Sequence, residues 1–221
     1  MFVRSQEEAI LEFRLLYSGR VLASSNTKRR TDEKHAIRKL FHPQLRQLWF
    51  TNHNLKTFAV GMGGLKYEDE PTTHEERVKV EAAFLAGTAR ISNKWKFSNF
   101  SFLPLVTEGD AVRCSIDILF LRPEASGMLI KGGDIDGRIK TIFDALRMPQ
   151  IGELDTDLTP EETESPFFVL LEDDKLISEV KVTTDELLLL PNEQTRLDNH
   201  AFMSLHVKLQ ITRETGLSWI F

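Results

Sequence analysis

GGDIDGRIKTIFDAL, Gly132 to Leu146, is the stretch from which the rest of the chain is best understood. Ile139, Ile142, Phe143 and Leu146 recur at i, i+3, i+4 and i+7, so one side of a short helix is apolar and faces a core. Asp134 and Asp136 stand just ahead of that stripe. An aspartate at a helix start accepts hydrogen bonds from free first-turn amides and favours the positive end of the dipole. Asp136 and Lys140 are also spaced as a favourable i,i+4 pair. The same placement suits a hard divalent cation such as Mg²⁺, which takes oxygen ligands held without rearrangement. Lys140, one turn on, is positioned to contact a phosphate or to orient a carboxylate, and Asp144 follows a further turn along. On these residues alone, capping and metal ligation both stay open.

Upstream, AVRCSIDILFL (Ala111 to Leu121) predicts a strand. Val112, Cys114, Ile116, Ile118 and Phe120 alternate with more polar neighbours. Downstream comes the acidic run MPQIGELDTDLTPEETES, then PFFVLLEDDKLISEVKVTT, which predicts two strands around a carboxylate pair, Asp173 and Asp174. In the second of those strands Ile177, Val180 and Val182 are expected to point inward. FMSLHVKLQITR, Phe202 to Arg213, is the last predicted strand, and the apolar tail GLSWIF is expected to pack on the body or a partner.

At the other end, Ile10 to Leu16 predicts an opening strand closed by Ser18 and Gly19. A basic run then leads into a helix carrying Ile37, Leu40, Phe41, Leu45, Leu48 and Trp49. Pro43 inside that pattern predicts two short helices or a kinked one. NLKTFAVG is expected as a short strand, EERVKVEAAFLAG as the start of a helix or strand, and Phe97 to Val106 as an extended segment. Several strands, few helices and no βαβ alternation predict an α+β fold with a mixed sheet. The expected organisation is one domain over residues 1–221, with an extended region at about 50–95 and an acidic loop insertion at about 148–168.

Composition is that of an ordinary globule, 41% hydrophobic and 28% charged, with a net charge of -5. The charge is unevenly spread. Residues 148–174 hold nine acidic side chains and no basic one, and without them the chain is net positive. Between Lys28 and Arg46 seven basic residues face two acidic ones, so a local basic surface is compatible with the acidic total. A single cysteine, Cys114, excludes an internal disulfide and a thiolate metal cluster, and its place in an apolar alternation predicts a buried small hydrophobe. MFVRSQEEAILEF lacks the apolar region of a secretion signal, and no long apolar run predicts a membrane span, so a cytoplasmic location is expected.

GGDIDGRIKTIFDAL followed by LLEDDKLISEVKV resembles the signature of the RusA family of Holliday junction resolvases. In that family a DxDN opens a helix, a lysine follows four residues after the second aspartate, the helix ends in Asp-Ala-Leu, and a DD precedes an aliphatic strand. The resemblance implies a RusA-like fold and a Mg²⁺-dependent (or Mn²⁺-dependent) endonuclease acting on branched DNA as a homodimer. It maps Asp134, Asp136 and Asp174 onto the metal-binding catalytic aspartates and Lys140 onto the motif lysine, with Asp173 and Asp144 as secondary members. The DNA backbone is then expected to meet Lys28, Arg29, Arg30, Lys34, Arg38 and Lys39. Gly137 stands where the family has asparagine, and the acidic segment replaces a short link. Those departures motivate the alternative of an inactive RusA-like module that binds DNA or a protein partner. A more distant one is an acidic loop that mimics DNA and docks in a basic groove.

Overall fold

A computed structural model describes residues 10–21, 28–67, 69–110, 112–122, 135–155, 157–188 and 200–211, with the backbone alone for 28–30 and 211. The fold is α+β, with two sheets and four helices among the described residues. The larger sheet holds β1 (Leu11–Arg20), β4 (Val112–Arg122), β6 (Ile177–Glu186) and β7 (His200–Ile211) in the order β1-β7-β4-β6. Its first two contacts are antiparallel, while β4 and β6 run parallel, so the sheet is mixed. Alternation in the sequence becomes a clean division of faces: Ile116, Ile118 and Phe120 of β4 and Met203, Leu205 and Val207 of β7 are buried in the core.

The second sheet, β2-β3-β5, is built from β2 (Lys96–Phe97), β3 (Phe100–Val106) and β5 (Phe167–Leu171), with β3 and β5 parallel. All five residues of β5 are buried, which is why FFVLL reads as an unbroken apolar run rather than an alternation. Phe100, Phe102, Phe167 and Val169 form a small core of their own, into which the acidic segment inserts Leu154. The segment is thus anchored, and a 3-10 turn at Glu162–Glu164 leads it into β5.

Four helices complete the fold: α1 (Lys28–Thr51), α2 (His53–Met62), α3 (His74–Ser92) and α4 (Ile135–Leu146). Three local expectations are corrected. The chain from Lys28 to Thr51 is one continuous helix through Pro43, not two short ones. An interior proline removes a donor and costs about 3 kcal/mol, and burial of Ile37, Phe41, Leu45 and Trp49 along one face outweighs it. NLKTFAVG is not a strand but most of α2, whose start is capped by Asn52 accepting from the Leu55 amide. The opening strand continues through Ser18 and Gly19 to Arg20, and Gln44 of α1 pairs with the backbone N–H and C=O of Leu16 at 2.8 Å each, covering part of that sheet edge.

β6 also departs from expectation. Val180 and Val182 do share the face of Ile116 and Ile118, but β6 is the sheet edge, and the two valines remain 42% and 38% exposed. Cys114 is fully buried, as expected, and burial pushes its thiol pKa up to about 12. Trp219, Ile220 and Phe221 of the tail lie outside the described residues. No helix among the described residues is long and apolar enough to cross a membrane.

Candidate functional site

The carboxylate pair after β5 divides into two roles. Asp173 Oδ1 accepts the Lys175 amide at 3.0 Å and caps the 3-10 turn Asp174–Leu176. One oxygen of Asp173 is thus engaged within its own turn. Asp174 begins the turn with 47% of its side chain exposed, and its Oδ2 lies 3.9 Å from Nε of Arg147. The turn packs on both α4 and β4, so Asp174 is carried by a fixed part of the fold.

On α4, Asp136 and Lys140 are exposed on the first two turns. Thr141 Oγ1 donates to the carbonyl of Gly137 at 3.0 Å, one turn back. Asp134 lies outside the described residues, so the pair of motif aspartates is seen through its second member only. Among the described residues no group of three or more His, Cys, Asp or Glu side chains gathers as a metal site.

Asp144 does not continue the exposed face of Asp136 and Lys140. It is 3% exposed and lies at the centre of a buried charge cluster. Lys34 Nζ reaches Asp144 Oδ2 at 2.7 Å, and Arg147 Nη2 donates to Asp144 Oδ1 at 2.9 Å. Arg147 also donates to both carboxylate oxygens of Glu153, at 2.9 Å each. Arg38 donates to the carbonyls of Asp144 at 2.7 Å and Arg147 at 3.1 Å, satisfying groups at the end of α4. Asp144 thus joins α4 to α1 through Lys34, with Arg147 on its other oxygen.

Within this cluster Arg147 and Glu153 hold one another in their ionised forms. Burial pulls the Arg147 pKa down, but Glu153 and then Asp144 more than offset it and leave the value raised. Burial pushes Glu153 up, and hydrogen bonds from Arg147 and the Gln150 amide, with the charges of Arg147 and Lys34, bring it below the usual carboxylate range. For Arg38 burial wins, and its pKa falls to about 10 despite the carboxylates nearby.

The basic run is correspondingly redistributed. Lys34 and Arg38 are 3% and 1% exposed, with their donors engaged inside the protein. Neither is available to a phosphate, which corrects their expected place on a DNA surface. Lys39 is partly exposed and bonds Glu161 at 2.8 Å and Glu164 at 2.9 Å. Lys28, Arg29 and Arg30 open α1, and their side chains lie outside the described residues. The acidic segment therefore neutralises part of α1: Glu153 faces Lys34, Glu161 and Glu164 face Lys39, and the Thr163 carbonyl accepts from His42 Nε2 at 2.9 Å.

Arg147 and Glu153 were not singled out by motif reasoning. The available signal was the i,i+3 spacing of Asp144 and Arg147 at the helix end; the partnership with Glu153 required the segment to fold back. No protein-family model matches the chain, and neither a curated protein nor a solved structure matches it.

Proposed function

We propose that this chain is a metal-dependent endonuclease of the RusA type, hydrolysing phosphodiesters in branched DNA such as Holliday junctions. The observation that carries the proposal is the presentation of Asp174. It projects half exposed from a turn fixed against α4, the helix whose first turn exposes Asp136. Asp136 and Asp174 are hard oxygen donors on element ends, and with the motif's Asp134 they make a set that suits Mg²⁺ or Mn²⁺. The bound ion supplies a water of lowered pKa and charge stabilisation on the scissile phosphate. Asp134, Asp136 and Asp174 hold the ion, and exposed Lys140 presents an ammonium to the phosphate. With Lys34 and Arg38 buried, DNA backbone contacts fall to Lys28, Arg29, Arg30 and the exposed part of Lys39. The proposal includes a cytoplasmic homodimer whose two-fold axis matches that of a junction.

The deciding experiment is Asp134→Asn on a labelled four-way junction with Mg²⁺. Cleavage is expected to disappear while junction binding persists, and nicking at the native rate would show that the site is elsewhere. A second reading, a RusA-like module that binds DNA or a protein without cutting, draws on Gly137 at the motif asparagine position and on the burial of Lys34 and Arg38. Calorimetric titration separates the two, because the binder takes up no Mg²⁺ or Mn²⁺ at millimolar concentration.

A further inference from the structure

Arg147 sits between the buried charge cluster and Asp174, and its donors are not used equally. Its two terminal nitrogens are engaged: Nη1 by Glu153 and the Met148 carbonyl, Nη2 by Asp144 and Glu153. Its Nε is buried and has no hydrogen-bond partner among the described residues. A buried guanidinium N–H left unpaired is costly, so its retention needs a reason. The carboxylate beside it is that of Asp174, with Oδ2 at 3.9 Å, roughly 1 Å longer than a typical N–H···O hydrogen bond. The side chain of Arg147 is 4% exposed and clamped from three sides, whereas that of Asp174 is 47% exposed. A small movement of Asp174 closes the gap, while Arg147 is held where it is.

We infer that Arg147 is a positioning residue for Asp174: its spare Nε–H orients the carboxylate for a divalent cation, and Glu153 of the acidic segment holds Arg147 in place for that task. This rests on the assignment of Asp174 as a metal ligand and deepens it. The segment that replaces a short link is thereby a support of the site, acting through Arg147. Supporting hydrogen bonds of this kind typically change metal affinity about 10-fold to 100-fold when removed.

The test uses the full chain and Mn²⁺ as the probe, with affinity read by electron paramagnetic resonance. Arg147→Lys keeps a charge beside Asp144 and Glu153 but removes Nε; it is expected to weaken Mn²⁺ binding about 10-fold. Glu164→Gln, which alters another buried carboxylate of the same segment with no contact to Arg147, is expected to leave affinity within about twofold of native, since its ties are to Lys39 and the Glu161 amide. On the unmutated protein, the Arg147 Nε–H resonance is expected to move downfield on adding Mg²⁺, a readout that does not depend on any variant folding. Unchanged or tighter Mn²⁺ binding by Arg147→Lys, equal weakening by Glu164→Gln, or an unmoved Nε–H resonance would overturn the inference. Asp174→Asn distinguishes the two levels. If it binds Mn²⁺ like the native protein, the metal-site assignment fails and this inference with it. If it loses binding while Arg147→Lys does not, the positioning role alone is wrong.

Discussion

At the scale of single residues, the aspartates of the motif region separate by what they touch. Asp144 and Asp136 sit eight positions apart on α4, yet one is buried between Lys34 and Arg147 and the other faces outward. Removing one member of a buried charge group costs far more than removing an exposed charge, because partners are left desolvated and unpaired. Asp144→Ala is therefore expected to lower unfolding stability by about 3–5 kcal/mol, and Lys140→Ala to change it by less than about 0.5 kcal/mol. Urea unfolding of the two variants checks this. Equal effects would mean that the Lys34–Asp144–Arg147 group contributes little. Asp173 and Asp174 split in the same way, one bonding its own turn and the other turned to Arg147. Adjacent letters in a sequence carry no mark of that division.

Among the elements, α2 and α3 owe their contact to missing side chains. A Cβ on Gly87 would stand 1.7 Å from the Ala59 carbonyl oxygen, and one on Gly63 would stand 1.9 Å from that of Ala83. The two backbones touch where neither glycine has a side chain to separate them, and backbone atoms cannot swing aside as a flexible side chain can. Gly87→Ala is expected to cost about 3 kcal/mol, the upper part of the usual range for overpacking. Gly61→Ala, with open space around it, is expected to be neutral or slightly stabilising. Thermal unfolding of both variants is the measurement, and a matching loss in the two would refute the close-approach account. In the sequence NLKTFAVG is compatible with a short strand and EERVKVEAAFLAG with a helix or a strand, although Asn52 and the Thr73–Glu76 capping box mark the helix starts once helices are considered.

For the molecule as a whole, acid sensitivity follows from a histidine that no motif includes. His35 lies among Phe100, Phe167 and Arg38, with its Nε2 unpartnered among the described residues. Burial lowers its pKa to about 4, with Arg38 and Lys39 adding to the effect and Glu164 and Asp32 opposing it. In the unfolded chain it titrates near its ordinary 6.5. Between those values the unfolded chain binds the proton and the folded one does not. Its contribution is complete above pH 6.5 and is lost as pH falls toward 4. Glu153 and Glu164 have depressed values, so their contributions fade only below the usual carboxylate range near 4.5. His35→Phe is expected to lose less stability than the native protein between pH 7 and about 4.5, measured as the shift in urea midpoint. An identical shift in both proteins would show that His35 is not the source.

Some of this was legible without coordinates because it depends on periodicity along the chain. The strand alternation around Cys114, the apolar stripe of α4, the unbroken run of β5 and the α+β class all express which side of a local element meets a core. The placement of Asp174 after a buried strand was legible for the same reason. What tertiary structure alone decided is which charges are inside. Lys34 and Arg38 look like surface basics, and Asp144 looks like the third member of an exposed face, until α1 packs on α4 and the acidic segment folds over both. Periodicity is set by neighbours three or four residues away. These pairings join residues more than a hundred positions apart, and the low polarity created when they meet is what turns ordinary surface residues into an internal charge network.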